Sequence, residues 1–307
     1  MKTKYEERHQ RQNLSEDADQ TEYQALKDGQ ASIDQGLYDE RIADAMDDFG
    51  IIDTSSFGTE TPDWALEDLQ QDDAVGGLTT IIERRREILR QYYPFSRKNN
   101  TLIYEPTQSL VYEFCLAAAI VTTKENCELP RIFEQLATML VRCYLGAKGK
   151  SLHTGWPRQS PSRFKEAMSP LHKQTGEWYW QPDHDLPIDP QPKDIKDSGL
   201  DFVAWMPHLD KRTGNLFLLG QCACGNDWEN KYGDIDVARL ARWFSPMTHV
   251  PPVRVFCTPY HVTEQLLVET SQRAGLVFDR LRLTLLAETA DQHMLDQLKR
   301  LNLGDHL

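Results

Sequence analysis

Two polar side chains stand at the ends of apolar runs that predict neighbouring strands. Asp201 lies at the start of the run Leu200–Met206, just after a glycine, and Gln221 lies near the end of the run Leu216–Cys222. The polar residues between these runs suit a hairpin loop, and antiparallel pairing brings the two ends to one edge of a sheet. We therefore expect a carboxylate and an amide oxygen, twenty residues apart in sequence, to be neighbours in space.

These oxygens suggest a site for a hard divalent cation. Carboxylate and amide oxygens are preferred ligands of Mg²⁺ and also bind Mn²⁺. Either ion can activate water and stabilise negative charge on a phosphodiester. Glu134, a polar residue in the predicted amphipathic helix that begins at Leu129, could supply another oxygen. The structural alternative is that Asp201 caps a turn, Gln221 satisfies a strand edge and Glu134 faces water.

The order of these residues resembles the restriction-endonuclease-like (PD-(D/E)xK) superfamily of phosphodiesterases. The motif of that superfamily is an Asp, a spacer, and then Asp, Glu or Gln followed after one residue by Lys. Two features are most similar to the motif of bacterial restriction nucleases that act on modified DNA. One is the segment Asp197–Asp201, which has Asp at both ends and Gly199 between them, and the other is the Gln at the second motif position. The resemblance covers about residues 129–290 and implies an α/β fold, a mixed sheet flanked by helices.

The resemblance also implies a role for each candidate residue. Asp201 would be the central metal ligand, Gln221 the second ligand and Glu134 an outer ligand from the helix. Asp197 is a lesser candidate, because the second Asp of this form of the motif usually carries the role. These assignments come from the resemblance and make the site a phosphodiesterase centre.

The chain departs from the motif at its lysine, which is replaced by Ala223. The lysine ordinarily stabilises the attacking water or the transition-state charge as a point cation. A lysine from elsewhere could reach the same place, with Lys231 the first choice and Lys196 the second. Alternatively, the site has lost cleavage and only binds nucleic acid or a partner. Both interpretations are open at the level of sequence.

The sequence divides into three parts. Residues 1–75 carry 6 Lys and Arg against 20 Asp and Glu, so most of the net charge of −13 lies there, and we expect a solvated, partly disordered arm. Alternatively, this arm docks a basic partner or covers the protein's own site. Residues 76–128 predict an α-helical preface, in which the basic run Arg84–Arg86 is expected to form a solvated helix face, with phosphate contact as the alternative. Residues 129–307 form the expected nuclease domain.

Within residues 129–307 the apolar pattern predicts an α/β order. Apolar runs at Val253–Tyr260 and Leu281–Leu286 predict further strands, and Thr263–Ala274 and Ala290–Leu301 predict helices. Loops of this part also interleave aromatic and basic side chains, a mixture that suits base stacking and phosphate contact, although the aromatics could equally cover a sheet. These residues are Trp156, Arg158, Arg163, Lys165, Trp178, Tyr179 and Trp180.

The composition excludes several classes of protein. The 307 residues and their content of 40% hydrophobic and 26% charged residues exclude a collagen-like, a disulfide-scaffold and a wholly disordered chain. No apolar stretch is long enough to span a bilayer and the beginning of the sequence lacks a secretory pattern, so we expect a cytoplasmic protein without a membrane partner. The six cysteines lie mostly in apolar runs and predict core thiols.

The sequence and the resemblance together predict a Mg²⁺-dependent endodeoxyribonuclease. The resemblance, with no recognisable target-reading module, implies the nuclease subunit of a bacterial anti-phage or restriction system that acts on DNA. The sequence has no Walker loop, so an ATPase or helicase would be a separate subunit. The alternative is a non-catalytic adaptor that keeps the nuclease fold to bind DNA or a partner protein, and Ala223 favours it.

Overall fold

The computed structural model describes residues 4–33, 63–121, 128–155, 163–181, 198–290 and 295–296. The helices are α1 Lys4–Asp28, α2 Asp63–Leu89, α3 Val111–Val121, α4 Glu128–Tyr144, α5 Phe164–Thr175, α6 Val237–Leu240, α7 Glu264–Ala274 and α8 Arg280–Leu286. The strands are β1 Gln30–Ser32, β2 Phe95–Lys98, β3 Thr101–Tyr104, β4 Lys150–His153, β5 Phe202–Met206, β6 Leu216–Cys222, β7 Val253–Cys257 and β8 Leu276–Phe278. Short 3₁₀ turns lie at Arg90–Tyr92, Trp228–Lys231 and Ala287–Thr289.

Within the described residues, β4 to β8 form a five-stranded mixed sheet in the order β4-β5-β6-β7-β8. Strands β4, β5 and β6 pair antiparallel, whereas β6, β7 and β8 pair parallel. The predicted α/β architecture with a mixed sheet is therefore confirmed, and β5, β6 and β7 lie on the apolar runs that predicted strands. The sequence pattern did not predict β4 or β8.

Helices and loops cover both faces of this sheet. Helix α4 packs its apolar stripe on one face, against Phe202, Ala204 and Leu218. Helix α5 and aromatic side chains cover the other face, against Val203 and Trp205. Since both faces are buried, the strands are apolar along their whole length instead of alternating, which is why they stand out in the sequence.

A second, smaller sheet joins the helices of the N-terminal part. Strands β1, β3 and β2 pair antiparallel in that order within the described residues. The expected preface over residues 76–128 is thus not purely helical, because the segment after α2 turns back as the β2-β3 hairpin. Residues 34–62, which belong to the expected solvated arm, lie outside the described residues.

Helix α1 corrects the expectation of a solvated arm over residues 4–33. Asp19 and Glu22, two of the acidic residues that suggested solvation, are buried against α2 and α8. Arg85 reaches Asp19 Oδ1 at 2.7 Å and Glu22 Oε1 at 2.9 Å, and Arg280 holds both carboxylate oxygens of Asp19 at 2.9 and 2.5 Å. Tyr93 donates a further hydrogen bond of 2.6 Å to Glu22. Carboxylates can be buried in this way because each is paired with an arginine and accepts hydrogen bonds.

The same network corrects the expectation for the basic run in α2. Arg84 and Arg86 are exposed, as a solvated helix face requires, but Arg85 between them is fully buried. Sequence periodicity alone does not distinguish the three, because their partners lie far away in the chain. Arg85 therefore belongs to the core that joins α1 to the rest of the protein.

The prediction of a strand at 281–286 is wrong, because this segment forms α8. Asp279 caps the helix by accepting a hydrogen bond of 3.1 Å from the Arg282 amide. The helix buries Leu281 and Leu283 although these residues alternate with polar ones as in a strand. Most of the predicted helix Ala290–Leu301 lies outside the described residues. None of the helices in the described ranges combines the length and apolarity that a bilayer span requires.

We predict that Arg85→Met destabilises the protein strongly. The substitution leaves Asp19 and Glu22 buried with fewer cationic partners, and breaking a buried ion pair costs about 3–5 kcal/mol. Urea unfolding followed by circular dichroism measures the change. Arg84→Met is the matched control, since Arg84 pairs on the surface, and its unfolding should resemble that of the wild type. Equal unfolding midpoints for the two variants would contradict the buried network.

A pH dependence follows from His261, which is buried beside Arg85. Arg85 Nε donates to His261 Nδ1 at 3.1 Å, so the imidazole is neutral. Burial lowers the pKa of His261 well below its usual value, and the charges of Arg85 and Arg280 lower it further. Below about pH 6.5 the unfolded state therefore binds a proton at His261 that the native state does not, so His261 by itself lowers the free energy of unfolding by about 1.4 kcal/mol for each unit of falling pH.

Urea unfolding between pH 7 and 5 tests this expectation. His261→Gln should flatten the dependence of the unfolding free energy on pH, whereas His208→Gln, at an exposed hairpin histidine, should leave it unchanged. The expectation fails if both variants keep the wild-type slope.

Candidate metal-binding site

The site lies where β4 and β6 end and β5 begins, at one edge of the sheet. The carbonyl of Asp201 accepts hydrogen bonds from the amides of Thr154 and Gly155, at 2.7 and 2.9 Å, just after β4. The amide of Asp201 donates to the carbonyl of Gly220 in β6 at 2.9 Å. Both neighbouring strands thus hold the backbone of Asp201, which fixes the direction of its side chain.

The carboxylate of Asp201 is also held by β6. Its Oδ2 accepts a hydrogen bond of 2.7 Å from the amide of Cys222, and the residue is only 8% exposed. Phe202 pairs with Gly220 in the strand register, so Asp201 and Gln221 stand next to each other at the ends of β5 and β6. The structure therefore brings these two predicted site residues together.

Gln221 brings a buried amide oxygen to this edge. The side chain is 8% exposed, and its Oε1 has no hydrogen-bond partner among the described residues. Its Nε2 makes one long contact of 3.4 Å with the carbonyl of Cys222. A buried carbonyl oxygen without a donor is costly, and a cation would satisfy it.

Glu134 reaches the same edge from α4 and is paired with His153. His153 Nε2 lies 3.0 Å from Glu134 Oε2, and both side chains are partly exposed. A Cβ at Gly155 would lie 2.5 Å from Glu134 Oε2 and 3.1 Å from His153 Nε2. Glycine at position 155 therefore leaves the space that the carboxylate and the imidazole occupy.

Sequence reasoning missed His153. The segment after α4 reads as a loop rich in glycine, and the histidines show no metal-binding spacing. The structure places His153 on the short edge strand β4, opposite Phe202 of β5. The polar and aliphatic pattern Lys150–His153 is too short to signal a strand, so only the pairing with β5 identifies it.

Two thiols report the charge around the site. Burial raises the pKa of Cys222, and the neighbouring thiol of Cys257 raises it further through a hydrogen bond and through charge repulsion. The negative charges of Asp201 and Glu134 also raise the pKa of Cys222. Burial likewise raises the pKa of Cys224, and Glu134 and Asp201 raise it further. Both carboxylates thus act on the same two thiols.

Lys231, the first choice for the missing lysine, acts on the same region. Its charge lowers the pKa of Cys224 against the effect of burial and of the carboxylates. Lys231 is partly exposed and ends the 3₁₀ turn Trp228–Lys231, whose first residue stacks on Tyr260 with ring centroids 6.0 Å apart. The charge of Lys231 therefore reaches the thiol on which Glu134 and Asp201 act.

Ala223, at the lysine position of the motif, is fully buried. It packs with Trp228, Tyr232 and Phe256 in an apolar cluster, and its amide donates to the carbonyl of Cys257 at 2.9 Å. A lysine at this position would have to place its charge among these rings. The substitution by alanine is therefore consistent with the local packing.

The described residues supply few charged donors for a metal ion. No group of three or more His, Cys, Asp and Glu side chains suited to hold a metal ion occurs in the part of the chain that the structure describes. A cation at Asp201 therefore needs the amide oxygen of Gln221 as well as the carboxylates. The lesser candidates Asp197 and Lys196, and the loop residues Trp156 and Arg158, lie outside the described residues.

Comparisons with known proteins add little to this geometry. No protein-family model matches the chain, and no curated protein matches it significantly. Among solved structures, the MspJI restriction endonuclease in complex with a 27-mer oligonucleotide is similar, at 14% identity and a TM-score of 0.30. The match covers 63% of this chain and 35% of that one. A TM-score of this size does not establish a common fold.

We predict that Gly155→Ala displaces the Glu134 carboxylate. The new Cβ would lie too close to Glu134 Oε2, and because this oxygen ends a flexible side chain, the carboxylate moves away from His153 with little loss of stability. Side-chain NMR of the His153 ring should show an altered environment while urea unfolding stays close to that of the wild type.

Gly233→Ala is the control, because a Cβ there meets no neighbouring atom. An unchanged His153 resonance in Gly155→Ala would show that Gly155 does not shape the site.

Proposed function

We propose that this chain hydrolyses phosphodiester bonds of DNA with a divalent cation, Mg²⁺ or Mn²⁺, bound at Asp201. The observation that carries the proposal is the position of the Asp201 carboxylate, fixed by β6 next to the buried Oε1 of Gln221, which has no hydrogen-bond partner among the described residues. Oxygen donors of this kind at strand ends suit a hard cation. Glu134, which pairs with His153 and lies beside Gly155, whose amide donates to the Asp201 carbonyl, completes the expected set.

The residues present fit such an ion by their chemistry. Asp201, Gln221 and Glu134 would hold it, and when bound it supplies a more acidic water and stabilises negative charge on the phosphate. The protein's own contribution is preorganisation. Three main-chain hydrogen bonds and the Cys222 amide fix Asp201, and His153 orients the Glu134 carboxylate from outside.

Lys231 is the proposed substitute for the lysine of the motif. Its ammonium would stabilise the negative charge that develops on the phosphate, as a positioned cation does in a transition state. The 3₁₀ turn that carries it is anchored by buried Trp228, which stacks on Tyr260. The packing of Trp228 thus holds in place the turn that carries Lys231.

The proposal extends to the setting implied by the motif. In this setting the chain is the nuclease subunit of a bacterial anti-phage or restriction system in the cytoplasm. Its specificity would come from partner proteins or from the state of the DNA, and a separate ATPase or helicase subunit would supply energy. The resemblance of the sequence motif supports this part of the proposal.

A cleavage assay with Asp201→Asn tests the proposed activity. Asparagine keeps an oxygen that can accept the hydrogen bond from the Cys222 amide but removes the charge, so folding should persist while cation binding is lost. Because even outer-shell changes cost 10–100-fold, we expect nicking of plasmid DNA with Mg²⁺ or Mn²⁺ to fall by about 100-fold or more. Asp210→Asn, at an exposed hairpin aspartate, is the control and should cleave like the wild type.

An adaptor without catalysis is the second candidate function, because Ala223 removes the motif lysine and the described residues lack a group of three His, Cys, Asp or Glu ligands. In that case wild type and Asp201→Asn would bind DNA or a partner equally, with and without metal. Absence of metal-dependent nicking by the wild type, alone and with its partner subunits, would overturn the nuclease proposal and favour the adaptor.

A further inference from the structure

A small aromatic pocket lies on the face of the sheet covered by α5, and the proposed cleavage chemistry does not use it. It has a volume of about 280 Å³ and is formed between α5, the segment 178–180 and Phe244. The side chains that matter for its chemistry are Lys165, His172, Trp178, Tyr179 and Trp180. These include four of the residues that the sequence marks as a mixture of aromatic and basic side chains.

The aromatic walls are fixed in place by ring contacts. Trp178 is buried and meets Phe244 edge to face at 5.2 Å, while Trp180 stacks on Trp243 with centroids 5.9 Å apart. Tyr179 differs, because the residue is 46% exposed, and its ring meets the ring of His172 in a T-shaped contact with centroids 4.5 Å apart. An exposed ring held by rigid neighbours offers a surface on which a planar group can stack.

Polar groups line the same pocket. His172 Nδ1 donates to the carbonyl of Glu177 at 2.8 Å, so Nε2 is the ring nitrogen left to face a ligand. The indole Nε1 of Trp178 is buried and has no acceptor within the described ranges. Trp178 also has a positive φ of 65°, which is uncommon for a bulky residue and holds its ring at this position.

The net positive charge of α5 and the residue before it favours an anionic ligand. From Arg163 to Thr175 the chain carries three Lys and Arg residues and one Glu, and Lys165 is one of the residues that line the pocket. An aromatic cage for a cationic ligand would be opposed by this charge. A planar group attached to an anion matches both the rings and the lysine.

We propose that this pocket binds one unstacked nucleobase of single-stranded DNA, with the adjoining phosphate at Lys165. The volume is slightly below the usual range for ligand pockets, about 300–1,000 Å³, so a single base fits better than a longer ligand. Base stacking on Tyr179 and phosphate contact by a cation are the two elements of single-strand binding. The inference goes beyond cleavage and does not depend on it.

Binding of a fluorescein-labelled thymidine oligonucleotide to the full chain tests the proposal. The titration is done in EDTA, where metal-dependent cleavage does not occur, so failure of the nuclease proposal leaves this test intact. Tyr179→Ala should raise Kd about tenfold, whereas Tyr179→Phe should bind like the wild type. Lys165→Ala should reduce the slope of log Kd against log salt by about 0.7, the value for one phosphate on a single strand.

Tyr144→Ala is the matched control, since Tyr144 is 52% exposed but packs on Phe278, away from this pocket. Quenching of tryptophan fluorescence by the oligonucleotide gives a second readout, because Trp178 and Trp180 line the pocket. The proposal is overturned if the wild type does not bind the oligonucleotide, if Tyr179→Ala binds like Tyr144→Ala, or if the same sequence as a duplex binds as tightly as the single strand.

Discussion

The hydrogen bonds around Asp201 are the constraint on which the candidate site depends. The amide and the carbonyl of Asp201 bond to β6 and to the end of β4, and its carboxylate accepts the Cys222 amide. One residue therefore ties three strand ends together, and it does so with its side chain in a fixed direction. A carboxylate held in this way can meet a ligand without further ordering of its side chain.

A second set of buried polar contacts connects the N-terminal helix to this edge of the sheet. Arg280 holds Asp19 of α1 and also donates from Nε to the carbonyl of Pro259 at 2.9 Å. The next residue, Tyr260, donates to the carbonyl of Cys224 at 3.2 Å and stacks on Trp228. The acidic N-terminal segment is thus linked through buried groups to the turn that carries Lys231, so α1 is part of the folded body.

The fold could be predicted where local pattern and burial agree. Strands β5 and β6 stand out because each is an uninterrupted apolar run, and helix α4 stands out because its apolar residues recur at helical spacing. The pattern failed for β4 and β8, which are short and lie at the two edges of the sheet. It also failed for α8, where Leu281 and Leu283 alternate like a strand but an Asp279 cap and packing on other helices select the helix.

The sequence by itself determined the positions of Asp201 and Gln221 at strand ends, because strand ends follow from the apolar runs and the turn between them. Only the tertiary structure decided that His153 pairs with Glu134 and that Arg85 is buried while Arg84 and Arg86 are exposed. The physical reason is that hydrophobic periodicity predicts only which face of a helix or strand is buried. Contacts between polar groups far apart in the chain depend on how the helices and strands pack against one another, and hydrophobic periodicity does not predict this packing.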